Sequence, residues 1–448
     1  MPEMNRHDVT RRSALLAIAG SPLLAQDSRP NTLIVLVDDL RWDALGCTGH
    51  PFVKTPNIDR IAREGVRFDN AFCTTPQDSP SRATLMTGQY AHQHDVRTNA
   101  DYSALSLKLK TFPLSQQRSG YETALIGKWS IGSDDSPRPG FDRWVSFKGH
   151  GVYVNPQFNI DGKIVPQSGY TTDLLTGSAV DFIRKRRGKP FSLILGQKAV
   201  HAPLVPAERH KSLYLTDTIR RVPNANDTLE GKPAMRRSLG NPPRTSLDDT
   251  IRQQLQCLTA VDEGVGKIFA ALEETRQLDN TIIVFTSDNG SLWGEHGLTD
   301  RRAPYDESIR IPLLIRYPRL VRAGMRLRNF VLSTDLAPTL IEISRSGPLS
   351  ESKGRSLVPL LQGRARGWRS GFLFEYFEDP QTPRIPSWQA VRTDRWKYIR
   401  YTNLEGMDEF YDLASDPYEM RNLINDPSAQ DALSDSKEEL ARLWRETF

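Results

Sequence analysis

The chain has 448 residues, 38% of them hydrophobic, with a formal net charge of +5 and a pI near 9.0. That is enough apolar material for one large domain and a small one, and the mild basic excess suits an anionic substrate with no nucleic-acid partner expected. The three cysteines, Cys47, Cys73 and Cys257, show neither metal-binding spacing nor a disulfide framework, and no stretch has the length of a membrane-spanning helix.

At the N-terminus, Thr10-Arg11-Arg12-Ser13 precedes the apolar run Ala14–Ala19, and small residues follow to Ala25. This is the pattern of a twin-arginine-like export signal over residues 1–26, so the mature protein is expected to be exported, periplasmic or secreted, without stable membrane insertion. Thr32–Val37 is a continuous apolar run, as in a strand buried on both faces, and it ends in Asp38-Asp39. Asn57 is placed to cap a helix carrying Ile58, Ile61 and Ala62 on one face, with Gly65 as its stop. The stretch Asp78–Gly88 reads as a loop breaking into a helix, with Ser79 as N-cap and Pro80 in the first turn. The start of such a helix presents backbone N–H groups and a partial positive charge to an anion, and Arg82 adds a fixed cation.

Further along, Thr123–Ile126 and Phe191–Leu195 read as buried strands, leading into Gly127-Lys128-Trp129 and His201-Ala202-Pro203. Leu204–Asp248 lacks periodicity and reads as a long surface insertion of the kind that often lines sites. Ile251, Leu255, Leu258, Val261, Val265, Ile268 and Leu272 mark one long amphipathic helix. It feeds the strand Thr281–Thr286, which ends in Ser287-Asp288-Asn289-Gly290. Ser333–Thr339 opens another helix. Beyond about Gly367 the texture changes to short aromatic strands around Phe372–Tyr376, Trp396–Ile399 and Phe410–Leu413, closed by a helix using Leu433, Leu440 and Leu443.

This alternation predicts an α/β fold, a large and mostly parallel sheet sandwiched by helices over residues 30–365, with a small C-terminal α+β antiparallel subdomain over 366–448. Sites in such sheets form beyond the carboxyl ends of strands, where Asp38, Asp39, Asp288 and Asn289 all fall. Three carboxylates and an amide make a hard oxygen set that suits Ca²⁺, or Mg²⁺, and not Zn²⁺.

Pro80-Ser81-Arg82 with Thr87-Gly88 resembles the signature of the sulfatase family, within the alkaline-phosphatase superfamily. In that signature a Cys or Ser, two residues ahead of the Pro, is oxidised to formylglycine, whose hydrate attacks sulfur. Asp78 stands there in this chain, and no formylglycine is expected. The resemblance implies one Ca²⁺ held by Asp38, Asp39, Asp288 and Asn289, with the Asp78 carboxylate as a further ligand. It also implies that Arg82, Lys128 and His201 bind sulfate and orient the nucleophile, and that His296 lines the pocket. Two positions depart from the family. Ser130 follows Lys128-Trp129 where the family has His, and Arg301 stands where a Lys usually precedes the run Tyr305-Asp306-Glu307-Ser308. Arg keeps the charge and grips an oxyanion bidentately, but does not donate a proton as Lys does.

The resemblance implies a hydrolase of sulfate esters, with sulfated carbohydrate as the substrate class and Asp78 acting as nucleophile or as base. Two other readings stand beside it. One is an inactive relative that binds sulfated glycans through Arg82, Lys128, His201 and Arg301. The other is a phosphodiester or phosphonate hydrolase, against which Asn289 argues because the two-zinc members of the superfamily have His at that position.

Overall fold

The computed structural model describes residues 29–238 and 246–448. The expected export signal, residues 1–26, lies outside them.

Ten strands make the central sheet: β1 (Asn31–Val37), β2 (Val66–Phe68), β3 (Glu122–Gly127), β4 (Arg143–Ser146), β5 (Gln157–Ile160), β6 (Lys163–Pro166), β7 (Phe191–Gly196), β8 (Thr281–Ser287), β9 (Leu313–Arg316) and β10 (Met325–Leu327). Their order across the sheet is β10-β2-β9-β8-β1-β7-β3-β4-β5-β6. From β8 to β4 the strands run parallel. β9 is antiparallel to both its neighbours, and β5 and β6 form an antiparallel hairpin at one edge.

The continuous apolar runs have a simple cause. Side chains alternate between faces, and both faces are covered. Ile34 and Leu36 of β1 join one core, while Leu33, Val35 and Val37 join the other. On the first face lie α2 (Asp78–Thr87) and α5 (Leu336–Ser344), packed through Leu85, Met86, Leu336 and Leu340. On the second lie α1 (Pro56–Glu64), α3 (Thr171–Arg184) and α4 (Leu247–Glu274), packed through Ile58, Ile61, Leu175, Phe182, Leu255 and Leu258. Truncating one of these buried aliphatic residues to Ala costs about 2–5 kcal/mol, which is why the runs tolerate no polar interruption.

The C-terminal part is a four-stranded antiparallel meander, β11 (Gly371–Tyr376), β12 (Trp388–Thr393), β13 (Trp396–Tyr401) and β14 (Glu409–Asp412). Phe372, Phe374, Trp388 and Ile399 extend the first core, so this sheet is continuous with the main body. Its other face, with Leu373, Val391 and Tyr398, is covered by Leu433 and Leu440 of α6 (Gln430–Thr447). Among the described residues no helix is long and apolar enough to cross a membrane.

Three local expectations are corrected. α2 begins at Asp78 with Gln77 at its N-cap, so Ser79 lies inside the first turn, where its N–H is taken by Asn99 Oδ1 at 3.0 Å. α1 begins at Pro56 after Thr55, and the N–H of Asn57 is satisfied by Asp262 Oδ1 of α4 at 3.0 Å. Of the expected insertion 204–248, residues 239–245 lie outside the described residues, and the described part, 204–238, is not a plain surface insertion. Asn224, Leu229, Lys232, Ala234 and Met235 are buried, because the segment folds back over the loop that follows β8.

Candidate active site

Val37 of β1 and Ser287 of β8 are register partners in adjacent parallel strands. The next residues, Asp38 and Asp288, therefore leave the sheet side by side. Asp39 has a positive φ of 61° and donates its N–H to Asp288 Oδ1 at 3.1 Å. Asn289 Nδ2 donates to Asp39 Oδ1 at 2.7 Å. The carboxylate oxygens of Asp38, Asp39 and Asp288 lie within 4.8 Å of one another, and all three residues are buried. Two acceptor atoms of this cluster, Asp38 Oδ1 and Asn289 Oδ1, are buried without a hydrogen-bond partner. Burial pushes the carboxyls of Asp39 and Asp288 up, against the opposing pull of Arg301 on the first and Arg82 on the second and with the neighbouring carboxylates adding to the rise; Asp288 reaches about 6. A cluster short of positive charge, with unpartnered oxygens turned into it, fits a hard divalent cation.

A second cluster forms around α2. Lys128 follows the end of β3 and is fully buried; its Nζ donates to Asp38 Oδ2 at 2.6 Å and to Asp78 Oδ2 at 2.5 Å. Arg301 Nη1 donates to Asp39 Oδ2 at 2.8 Å, and its Nη2 donates to Asp78 Oδ1. Both oxygens of Asp78 are thus ion-paired. Burial alone would raise its pKa, but Arg301 and Lys128 together hold it well below the usual carboxylate range. Asp38, Asp78, His150 and His201 also converge, yet the Lys128 ammonium stands among them, 3.3 Å from His150 Nδ1. That position already holds a cation. Asp78 therefore sits with the cations, beside the carboxylate trio and outside it.

His201 and His150 stack face to face, with ring centroids 4.2 Å apart and planes at 15°. His201 Nδ1 donates to the Ala202 carbonyl, which leaves the Nε2 lone pair facing Arg301 Nη2 at 3.4 Å. His150 Nδ1 accepts from Lys128, so its proton sits on Nε2, and the side chain is 46% exposed. Burial, reinforced by Lys128, lowers both: His201 to about 3 and His150 to about 4. Both rings are neutral near pH 7.

Asp38, Asp39, Asp78, Lys128, His201, Asp288, Asn289 and Arg301 come together as the sequence predicts. Two expectations need correction. Arg82 is only 1% exposed, and its N–H groups serve Asp288 Oδ2 at 2.8 Å and the Lys128 carbonyl at 2.8 Å, with Asp38 Oδ1 at 3.6 Å. It braces the carboxylates, with Nη2 also 2.8 Å from Asp288 Oδ2, and is closed to solvent. His296 does not line the pocket. It is fully buried, its Nδ1 pairs with Asp227 Oδ2 at 2.6 Å, its Nε2 meets Asn224 Nδ2 at 3.2 Å, and its ring lies 4.0 Å from that of Tyr305. Ser130 is half-buried with φ of 58° and takes no part in the ion-pair network among the described residues. Sequence reasoning missed His150. The available signal was its position just beyond β4, another carboxyl end of a parallel strand.

A parallel sheet whose strand ends gather carboxylates, buried cations and two imidazoles around a helix start defines a hydrolase of oxyanion esters that binds a divalent metal. Residues 30–345 match the sulfatase family, and residues 294–446 match the C-terminal region of N-sulphoglucosamine sulphohydrolase. The chain belongs to the sulfatase family. It is 32% identical to an N-acetylglucosamine-6-O-sulfatase of Bacteroides thetaiotaomicron, over 96% of this chain and 88% of that one. It is 28% identical to a multifunctional alkaline phosphatase superfamily protein of Trinickia caryophylli, over 93% and 95% of the two chains. Its fold is similar to that of a protein solved in complex with its substrate D-glucosamine-2-N,6-O-disulfate, with TM-score 0.87 and 30% identity, covering 94% of this chain and 98% of that one.

Proposed function

We propose that the protein is a calcium-dependent sulfuric ester hydrolase acting on 6-O-sulfated glucosamine units, with Asp78 in the place of formylglycine. The charge balance of the site carries this reading. Four buried carboxylates, Asp38, Asp39, Asp78 and Asp288, face three buried cations, Arg82, Lys128 and Arg301. One negative charge is in excess, and a divalent ion turns this into one positive charge, which matches the single charge of a sulfate monoester. The substrate named for the similar solved protein and the activity named for the Bacteroides relative support the sugar. Asp38, Asp39, Asp288 and Asn289 would hold the ion, and their oxygen donors suit Ca²⁺, with Mg²⁺ a smaller alternative. Once bound, it supplies positive charge that polarises the sulfate group.

The chain's own residues supply the remaining chemistry. Arg301 and Lys128 keep Asp78 ionised and weaken it as a base near neutral pH, so the role assigned to it is that of nucleophile. A carboxylate oxygen bonds to sulfur while the bond from sulfur to the sugar oxygen breaks, and that oxygen leaves with a proton from the site. Water then cleaves the acyl sulfate: its oxygen bonds to sulfur, the bond from sulfur to the carboxylate oxygen breaks, and of its two protons one returns to the site and the other leaves to solvent with the released sulfate. His150 Nε2–H is an outward-facing donor for the ester oxygens, and Arg301 supports the transferring group.

One observation favours a second reading. Both Asp78 oxygens are occupied by Lys128 and Arg301, the arrangement of a site that grips sulfate without cleaving it. Sulfate release from 6-O-sulfated N-acetylglucosamine and from the disulfate, with Ca²⁺ and with Asp78→Ala alongside, separates the two. Release lost in the variant supports the hydrolase, and saturable binding without release supports the binding protein. Turnover of a phosphodiester or phosphonate alone would assign the site to phosphoryl chemistry. Neither binding nor release of any of these overturns both readings. We further propose export through residues 1–26, supported by Arg11-Arg12 ahead of the apolar run and tested by N-terminal sequencing of the exported protein.

A further inference from the structure

A cleft of about 770 Å³ lies at the opposite end of the strands from the active site. It is lined at Asn31, where β1 begins, whereas Asp38 stands where β1 ends, roughly 23 Å away at about 3.3 Å per residue. The run Arg184-Lys185-Arg186-Arg187-Gly188-Lys189 after α3 forms one wall, and Arg276 after α4 faces it. Seven basic side chains and one acidic side chain line the cleft, against a net charge of only +5 for the whole chain.

Some of this charge is balanced internally. Arg184 pairs with Glu274 at 2.6 Å, while Lys185 and Arg187 share Glu122 at 2.7 and 3.1 Å. Arg186, Lys189 and Arg276 are exposed and make no ion pair among the described residues. A further observation points to a ligand. The Arg187 side chain is 6% exposed and packs on the rings of Phe182 and Phe191, yet its Nη1 is buried without a hydrogen-bond partner. Three exposed cations without ion-pair partners are a donor set for anionic oxygens, and Arg187 backs them within the cleft wall. The cleft lining holds no aromatic side chain, so it gives nucleobases no stacking platform.

We propose that this cleft is a second binding site, which holds a sulfated polysaccharide chain away from the catalytic pocket. Holding the polymer there raises the effective concentration of its sulfated units at the active site without a new contact in the chemistry. The proposal shares its ligand class with the function proposed above, and it stands or falls on binding alone.

The test is the affinity of the full-length protein for heparin, measured by calorimetry across a salt series. It compares the native chain with the triple variant Arg186→Glu/Lys189→Glu/Arg276→Glu, the milder triple Gln variant, and Arg301→Ala in the catalytic pocket. The three cleft residues are exposed, so their reversal leaves the packing intact, and thermal unfolding checks this. The Glu variant is expected to lose roughly tenfold or more in affinity with a shallower salt dependence, and the Gln variant to fall between, because fewer counterions are displaced. Arg301→Ala is expected to retain heparin binding. Unchanged affinity in both cleft variants overturns the proposal, as does binding that disappears only with Arg301→Ala. Single-stranded DNA of matched charge that binds the cleft as tightly as heparin would also overturn it, by showing a site without preference for a sulfated sugar. Failure to release sulfate would leave these outcomes untouched.

Discussion

Lys128 Nζ lies 2.5 Å from Asp78 Oδ2, with both side chains wholly excluded from solvent. The pair explains how a carboxylate is accommodated at the head of α2. Its charge is met at one oxygen by Lys128 and at the other by Arg301. Replacing Asp78 by the near-isosteric Asn removes the charge and leaves the buried cations under-compensated. Breaking a buried pair in this way costs about 3–5 kcal/mol. Asp78→Asn should therefore lower the unfolding midpoint clearly in calorimetry, and a variant as stable as the native chain would contradict the ion pairs described.

Restoring the family nucleophile is a sharper test. Asp78→Cys, expressed together with a formylglycine-generating enzyme, completes the Cys-x-Pro-Ser-Arg signature ahead of Ala83. Mass spectrometry should detect the aldehyde, and sulfate release should exceed that of the native chain. Full conversion without any gain would show that Arg301, which pairs with Asp78, commits the site to a carboxylate.

Metal binding should depend on pH with a definite sign. The Asp288 carboxyl is pushed up to about 6 from an ordinary 3.8, first by burial and then by Asp38 and Asp78. A carboxyl with a raised folded pKa favours the metal-free fold below the unfolded value, and this contribution is lost as pH rises through about 6. A cation binds the ionised form, so calcium affinity by calorimetry should climb between about pH 5 and pH 7 and then level off. Asp288→Asn should weaken binding and flatten the climb. At a hundredfold excess over Kd the ion should add about 2.7 kcal/mol of stability. An affinity constant across that range would remove the trio as the ligand set.

The stacked histidines should be silent in the physiological range. With His201 lowered to about 3 and His150 to about 4, neither imidazole gains a proton above pH 5 in the metal-free protein. Proton NMR of the ring resonances should show no titration at these two positions between about pH 5.5 and 8. In the hydrolase, His150→Phe keeps the stack but removes the N–H, and should reduce kcat by about 10²-fold or more. A midpoint near 6.5 at either ring would contradict the buried, cation-flanked setting.

His296 should matter for stability and leave substrate affinity alone. His296→Ala strands the buried Asp227 and Asn224 groups that now meet its two nitrogens. A loss of about 2–3 kcal/mol in chemical denaturation is expected, with KM unchanged. A raised KM at native stability would restore this residue to the pocket.

The sequence was enough for the scaffold and the metal-facing corner. Buried parallel strands leave an unbroken apolar trace, and polar residues that interrupt it at a strand end have few reasons to be there other than a site. Asp38-Asp39 and Asp288-Asn289 were legible on that ground, and the fixed spacing around Pro80-Ser81-Arg82 placed Asp78 beside them. What only the tertiary structure decided is how the charges divide. Arg82 is as prominent in the motif as Arg301, yet the first is turned to Asp288 and the Lys128 carbonyl while the second reaches Asp39 and Asp78. His150 and His296 are both loop histidines flanked by glycine, and burial alone separates them: one stacks at the mouth of the site, the other is sealed beneath the segment carrying Asn224 and Asp227. Periodicity encodes which face of an element is buried, because burial of apolar area is local and additive. Ion pairing between residues more than two hundred positions apart is neither, and so it becomes visible only when the chain has closed on itself.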